Sequence, residues 1–125
     1  MTELELFHKI EYCYWYTVAN RWKRAHILSR LVLLDDIEKC LRDVFHIELP
    51  KEELFEILKQ EEKREMETGQ INLRVSAGRY FPGMLIPVEF YRPITLNKED
   101  LKKMGLPVGT PEWKQIFGVD SPEAP

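Results

Sequence analysis

Residues 65–75 read EMETGQINLRV, and the spacing of the apolar side chains changes at Gly69 within this stretch. Before Gly69, the apolar residues of positions 54–58 recur at the spacing of a helix. After it, apolar and polar residues alternate over positions 71–75, which is typical of a half-buried strand. Because glycine is common directly after a helix, the sequence predicts a helix that ends at Gly69 and a strand that follows at once.

A second alternating stretch covers residues 84–90, and a glycine-containing loop, residues 77–83, joins it to the first. Two alternating stretches around a short loop predict a β-hairpin. Pro87 lies inside the second stretch, and proline has no backbone N–H to donate. We therefore expect this strand at the edge of a sheet, or with its proline nitrogen directed away from the ladder.

Three helices are predicted before the hairpin, the last of which is the one that ends at Gly69. Thr2 can cap a long helix in a capping box, which we expect to continue to roughly Leu31 with a bend or break at Asn20. Asp35 is the expected cap of a second helix, which stops near residues 46–50. The following helix begins at Pro50, because proline is well tolerated in a first helical turn.

The C-terminal part of the chain predicts two short helices. Asn97 caps the first, which Gly105 ends, and Thr110 begins the second. From about Val119 the sequence is typical of an unstructured tail. The expected fold class is α+β and mainly helical: a three-helix core with a hairpin, a long N-terminal helix and a short C-terminal helical extension. We expect residues 1–92 to form the main domain and residues 93–125 an extension packed on it.

Composition indicates a globular protein of the cytoplasm. A chain of 125 residues with 44% hydrophobic and 31% charged residues fits one compact domain with short extensions. Apolar runs such as Leu31–Leu34 are far too short for a membrane span, and the acidic N-terminus lacks the cationic flank of a signal peptide. Cys13 and Cys40 do not make a disulfide framework. Frequent Lys and Glu also resemble the composition of thermophilic proteins.

Charge is unevenly distributed along the chain. Residues 21–30 carry four basic side chains and no acidic one, and residues 35–68 hold 12 acidic against 6 basic side chains. Residues 69–97 carry three arginines against one glutamate. Two basic segments therefore flank an acidic middle.

The order of the predicted elements resembles that of the winged-helix family. The residues that carry the likeness are Leu34 to Phe45 as second helix, Leu49 to Glu67 as third helix and Ile71 to Phe90 as the hairpin, or wing. The passage through Gly69 into the first wing strand is also similar. The resemblance implies double-stranded DNA as ligand, with the third helix in the major groove and the wing tip at the minor groove or the backbone.

The third helix departs from this pattern in its charge. Its expected outward positions are three acids, one glutamine and two bases, namely Glu52, Glu56, Lys59, Gln60, Lys63 and Glu67. Because DNA is a dense polyanion, the acids disfavour this helix as a major-groove reader, and Lys59 and Lys63 are its only outward cations.

Basic residues elsewhere are better candidates for nucleic-acid contacts. Arg79 and Tyr80 lie at the expected wing tip, with Arg74 on the strand below, where arginine can enter a minor groove and tyrosine can stack on a base. The alternative is a solvated turn whose tyrosine packs on the hairpin. A second set surrounds Trp22 and comprises Arg21, Lys23, Arg24 and Arg30; solvation or pairing with the acidic middle is the alternative for it.

The first helix has a second apolar stripe that must be covered. Its aromatic residues are Tyr12, Trp15, Tyr16 and Trp22, and aromatic side chains are favoured in homodimer interfaces. The alternative is that the C-terminal segment with Trp113, Ile116 and Phe117 folds back over the stripe.

No motif for catalysis, a metal or a cofactor is recognisable. The three histidines and two cysteines fall in none of the usual metal-ligand spacings, no serine lies in a nucleophile elbow, and the glycines form no phosphate-binding loop. Glu89 with Arg92 is the nearest approach to a metal-dependent nuclease. The sequence therefore favours a non-enzymatic DNA-binding regulator, with a protein-interaction module on the same scaffold as the alternative and a small nuclease as the second.

Overall fold

The structure of the chain, a computed structural model, describes residues 1–120. Within them the elements are, in chain order, α1 (Glu3–Ala25), β1 (Leu31–Leu33), α2 (Leu34–Phe45), α3 (Lys51–Thr68), β2 (Leu73–Val75), β3 (Pro87–Phe90), α4 (Lys98–Met104) and α5 (Pro111–Phe117). The fold is α+β and mainly helical, with a long N-terminal helix, a hairpin and two short C-terminal helices, as the sequence predicts.

The chain divides into two compact units. Of the described residues, the terminal unit contains 1–30 and 92–120, and the hairpin unit consists of Leu31–Tyr91. The structure thus groups α1 with the C-terminal helices, whereas the sequence placed it in one domain with the hairpin. Most of the predicted tail, residues 121–125, lies outside the described residues.

The hairpin unit contains a three-stranded antiparallel sheet in the order β1-β3-β2. Val88 of β3 lies opposite Val32 of β1 and Val75 of β2, and all three side chains are buried. Leu73 and Phe90 are paired next to them and are fully buried. Helix α3 packs against β2, and α2 packs against both α3 and β1. One face of the sheet therefore belongs to the core of this unit.

Strand β1 is an element that the sequence reading missed. Helix α1 was expected to reach roughly Leu31 with a break at Asn20, but it runs unbroken past Asn20 and ends at Ala25. The residue that ends it is His26, in the left-handed conformation with φ 53°, whose N–H donates to the Trp22 carbonyl at 2.8 Å. The expectation was wrong because a three-residue apolar strand carries no periodicity that separates it from a helix.

Pro87 does not mark an edge strand, because β3 is the central strand of the sheet. Of the two expected arrangements, the edge position is therefore wrong. The Pro87 carbonyl accepts the Ser76 N–H at 3.0 Å, so the backbone polar groups of Pro87 face the β2 side of the sheet. Ser76 is the residue directly after the end of β2. Because Pro87 is the first residue of β3, the hydrogen bond that it cannot donate falls at the end of the β2–β3 pairing and not in its middle.

Besides the end of α1, the helix boundary that differs from the sequence prediction is the start of α2. That helix begins at Leu34 and not after Asp35; its cap is formed by the Asp36 carboxylate, which accepts the Leu33 N–H at 3.0 Å. Asp35 pairs instead with Lys51 at 3.2 Å. Gly69 ends α3 with φ 79°, a value that glycine adopts without strain.

In the terminal unit, α1 is held by polar and aromatic contacts. The buried Glu11 carboxylate accepts the N–H of Ile94 at 2.9 Å, the N–H of Thr95 at 2.6 Å and the Thr95 hydroxyl at 2.6 Å. Burial raises the pKa of Glu11 above its ordinary value, and the hydrogen bonds from Thr95 and Ile94 offset part of this effect.

Candidate nucleic-acid interface

The strands β2 and β3 are shorter than the predicted alternating stretches, and the loop between them, residues 76–86, contains a tight turn made by Phe81, Pro82, Gly83 and Met84. The Met84 N–H donates to the Phe81 carbonyl at 3.1 Å, and Gly83 has φ 81°. Proline at the second position, glycine with positive φ at the third and this hydrogen bond are the features of a type II turn. The sequence Phe-Pro-Gly-Met therefore builds a turn of defined shape, which we call the tip turn.

The tip turn exposes apolar side chains. Phe81 is 57% exposed and Met84 is 42% exposed, and the following Leu85 is 65% exposed. We call these three side chains the apolar prong. Large exposed apolar groups next to one another are typical of interaction surfaces.

The residues on either side of the prong are fixed to the hairpin unit. The Tyr80 ring packs against the buried Phe55 ring of α3, with centroids 6.0 Å apart. Ile86 is fully buried, and its carbonyl accepts the Leu34 N–H at 2.8 Å. The prong is therefore held at both of its ends.

Arg74 and Arg79 are both exposed, as the nucleic-acid prediction requires. Arg74 lies on β2 between two buried residues, and Arg79 directly precedes the half-buried Tyr80. The Tyr80 ring is used against Phe55 of α3, so its role resembles the packing alternative, with a helix and not the hairpin as the surface.

Two glutamates of α3 close the outer edge of β2. The Glu65 carboxylate accepts the N–H groups of Asn72 and Leu73 at 2.7 and 2.9 Å, and the Glu62 carboxylate accepts the Val75 N–H at 2.8 Å. Burial raises the pKa of Glu65, and the hydrogen bonds from the two N–H groups work against this rise. These carboxylates attach the hairpin to α3 and occupy an edge that could otherwise pair with another strand.

The outward face of α3 has the acidic character that the sequence predicts. Its exposed positions are Glu52, Glu56, Gln60, Lys63 and Glu67. Lys59 is only half-buried but is engaged, since its ammonium contacts the Glu62 carboxylate at 2.7 Å. Of the two lysines predicted to contact nucleic acid, Lys63 therefore keeps an exposed position, while Lys59 neutralises a carboxylate of its own helix.

The other basic candidates belong to the terminal unit. Lys23 and Arg24 are exposed in the last turn of α1, where cations also complement the negative end of a helix dipole. Arg21 and Arg30 are half-buried, and the Arg30 guanidinium lies 5.4 Å from the centroid of the Phe117 ring.

The aromatic stripe of α1 is partly covered by its own chain. Trp15 is fully buried, and its ring centroid lies 6.2 Å from that of Trp113 and 5.6 Å from that of Phe117. This is the folded-back arrangement of the alternative, and it leaves Trp15 no surface for a second subunit. The other three predicted interface residues, Tyr12, Tyr16 and Trp22, are half-buried.

Comparison with known proteins yields no similarity: no protein-family model, no curated protein and no solved structure matches the chain. Among residues 1–120, no three His, Cys, Asp or Glu side chains come together as a metal site. In the same part of the chain no helix has the length and hydropathy to cross a membrane, and Cys13 and Cys40 are buried and not joined in a disulfide.

The sequence reading gave no role to Glu62 and Glu65, and the structure does. Both are buried, with 8% and 7% of their surface exposed. A signal for them exists, because they continue the buried positions Leu54 and Leu58 at intervals of four and three residues. A glutamate on an apolar stripe that leads into a strand edge indicates a carboxylate that caps backbone N–H groups.

Proposed function

We propose that this chain is a non-enzymatic regulator of the cytoplasm that binds double-stranded DNA through the tip of its hairpin. Two helices followed directly by a hairpin resemble the order of elements in winged-helix domains, and this resemblance supports the proposal by analogy.

The observation that carries the proposal is the charge of the hairpin. Residues 69–88 contain Arg74 and Arg79 and no acidic residue, and both arginines are exposed. Cationic side chains that displace counterions from phosphates supply most of the sequence-independent affinity for DNA. Glu89 of β3 lies opposite Arg74 of β2, so the part of the hairpin without acidic side chains is the β2–β3 loop, residues 76–86, which carries Arg79.

Helix α3 has a different role in this proposal from the recognition helix of a typical winged helix. Glu52, Glu56 and Glu67 are exposed on its outward face and oppose phosphates with like charge. The helix therefore supports the hairpin through Glu62 and Glu65 and does not enter the major groove.

Duplex binding across a salt series tests the proposal. We expect the logarithm of the association constant to fall linearly with the logarithm of the salt concentration, and Arg79→Ala to weaken binding and reduce this slope by about one. Arg42→Ala, which removes an exposed arginine of α2, is the matched control and should leave both quantities unchanged. A chain that shows no binding at low salt contradicts the proposal.

A protein-interaction module is the second candidate, and the apolar prong favours it. Exposed phenylalanine, methionine and arginine side chains are enriched where proteins bind one another, and an acidic α3 is no obstacle to a protein partner. On this alternative, Phe81→Ser abolishes partner binding while duplex DNA is not bound at any salt concentration.

A further inference from the structure

We propose that the apolar prong inserts between neighbouring base pairs from the minor groove, so that the bound duplex is unstacked at one step and bent. This inference rests on the proposed function, since it describes how the same hairpin tip engages DNA. It assigns the main contact to apolar side chains, whereas the salt-dependent affinity comes from arginine.

The first argument is the shape of the tip turn. A wedge must keep its form while it separates stacked bases, and a flexible loop would lose conformational freedom on insertion. Pro82 fixes one backbone angle of the turn, Gly83 supplies the positive φ, and the hydrogen bond from Met84 to Phe81 closes it. Because Tyr80 and Ile86 are anchored on either side, the turn is ordered before binding.

The second argument is the chemistry of the prong. Phenylalanine, methionine and leucine are among the side chains that minor-groove proteins insert between base steps. Phe81 and Leu85 keep more than half of their surface in water in the free chain. Removing this apolar surface from water offsets the loss of base stacking.

The third argument is the position of charge beside the prong. Arg79 is exposed two residues before Phe81, and the negative potential of a narrow minor groove attracts arginine. The acidic outward face of α3 disfavours a docking mode in which the helix lies in the major groove. Charge and shape therefore both favour contact through the tip.

The test measures bending and unstacking separately from binding. A short duplex carries a donor and an acceptor fluorophore at its two ends, and a second duplex carries the fluorescent base 2-aminopurine. At low salt we expect the full chain to shorten the end-to-end distance and to raise the 2-aminopurine emission. Phe81→Ser should bind several-fold more weakly and should lose most of both signals, whereas Phe81→Leu should retain them.

The control variant is Met66→Ser, which removes an apolar side chain 62% exposed on α3 and should leave bending unchanged. Thermal unfolding should be nearly the same for all variants, because every substituted side chain is exposed. A duplex that is bound with salt dependence but stays straight overturns the wedge and leaves the proposed function standing. Bending that persists in both Phe81→Ser and Leu85→Ser overturns it as well. Absence of any binding at low salt overturns both proposals and favours a protein partner.

Discussion

Three buried glutamates, Glu11, Glu62 and Glu65, share one structural task in this chain. Glu11 and Glu65 each accept two backbone N–H groups and Glu62 accepts one, from residues 7 to 84 positions away in the sequence. A buried N–H without an acceptor destabilises the folded state by about 1–3 kcal/mol. A single carboxylate that accepts two N–H groups therefore avoids this penalty twice. These three carboxylates thus determine where non-helical segments attach to α1 and α3.

Glu65→Ala is predicted to destabilise the chain by about 2–4 kcal/mol, because the N–H groups of Asn72 and Leu73 lose their acceptor. Glu67→Ala on the same helix is the matched control; Glu67 is exposed, so its loss should change the free energy of unfolding by less than about 0.5 kcal/mol. Denaturant unfolding measures both. Equal effects for the two variants would show that the Glu65 carboxylate does not hold β2.

Glu11 predicts a specific dependence of stability on pH. Burial raises its pKa above the ordinary value of 4.5 in the folded chain, so the native state binds this proton more tightly than the unfolded chain does. The contribution of Glu11 to the free energy of unfolding therefore falls as the pH rises from 4.5 through the folded-state value.

Denaturant unfolding of wild type and Glu11→Gln at a series of pH values isolates this contribution. We expect the free energy of unfolding of wild type, minus that of Glu11→Gln, to fall as the pH rises above 4.5. The reason is that glutamine does not titrate, so only wild type loses stability through this position. A difference that is constant, or that grows with pH, would contradict the assignment of the raised pKa to Glu11.

At the scale of elements, the parts that sequence reasoning recovered are those with local signals. Helix α4 has both an asparagine cap and a terminal glycine, and the change of period at Gly69 marks the passage from α3 to β2. Strand β1 has neither, because its identity depends on pairing with β3, more than 50 residues later. Strand β3 is central only because β1 pairs with it. Without β1 in the sequence prediction, Pro87 indicated an edge strand.

The candidate site was recovered unevenly for the same reason. Arg74 and Arg79 could be placed on the hairpin because exposure on a strand or turn follows from alternation. The packing of Tyr80 on Phe55 and the pairing of Lys59 with Glu62 depend on tertiary contacts, and no periodicity predicts them. Phe81 was passed over because its exposure is visible only once the turn is built.

The contact between α1 and α5 makes a prediction about Trp15. Its ring is fully buried and lies against Trp113 and Phe117, so Trp15→Ala should leave a cavity and cost about 3–5 kcal/mol. Trp22→Ala is the matched control, the same substitution on the same helix at a half-buried position; it should cost clearly less. The result would be contradicted if Trp22→Ala were the more harmful of the two in denaturant unfolding.

At the scale of the whole molecule, the acidic residues of the hairpin unit lie apart from the loop proposed to contact DNA. The hairpin unit, residues 31–91, holds 13 acidic and 8 basic side chains, a net charge of −5, yet its residues 69–88 hold only the two arginines. A basic tip on an acidic unit orients that unit during a diffusional encounter, because a polyanion attracts the tip and repels the remainder. In the proposed complex with DNA, this distribution of charge sets the direction of approach and limits non-specific affinity.

The aromatic residues of α1 also bear on the oligomeric state of the chain. A stable interface buries about 800 Å² on each subunit. With Trp15 covered by its own chain, the three half-buried residues Tyr12, Tyr16 and Trp22 offer together only about 300 Å² of aromatic surface. We therefore predict a monomer in sedimentation equilibrium at micromolar concentration. A dimer that Tyr16→Arg dissociates, and that Leu4→Arg leaves intact because Leu4 is 72% exposed on the same helix, would restore this stripe as a subunit interface.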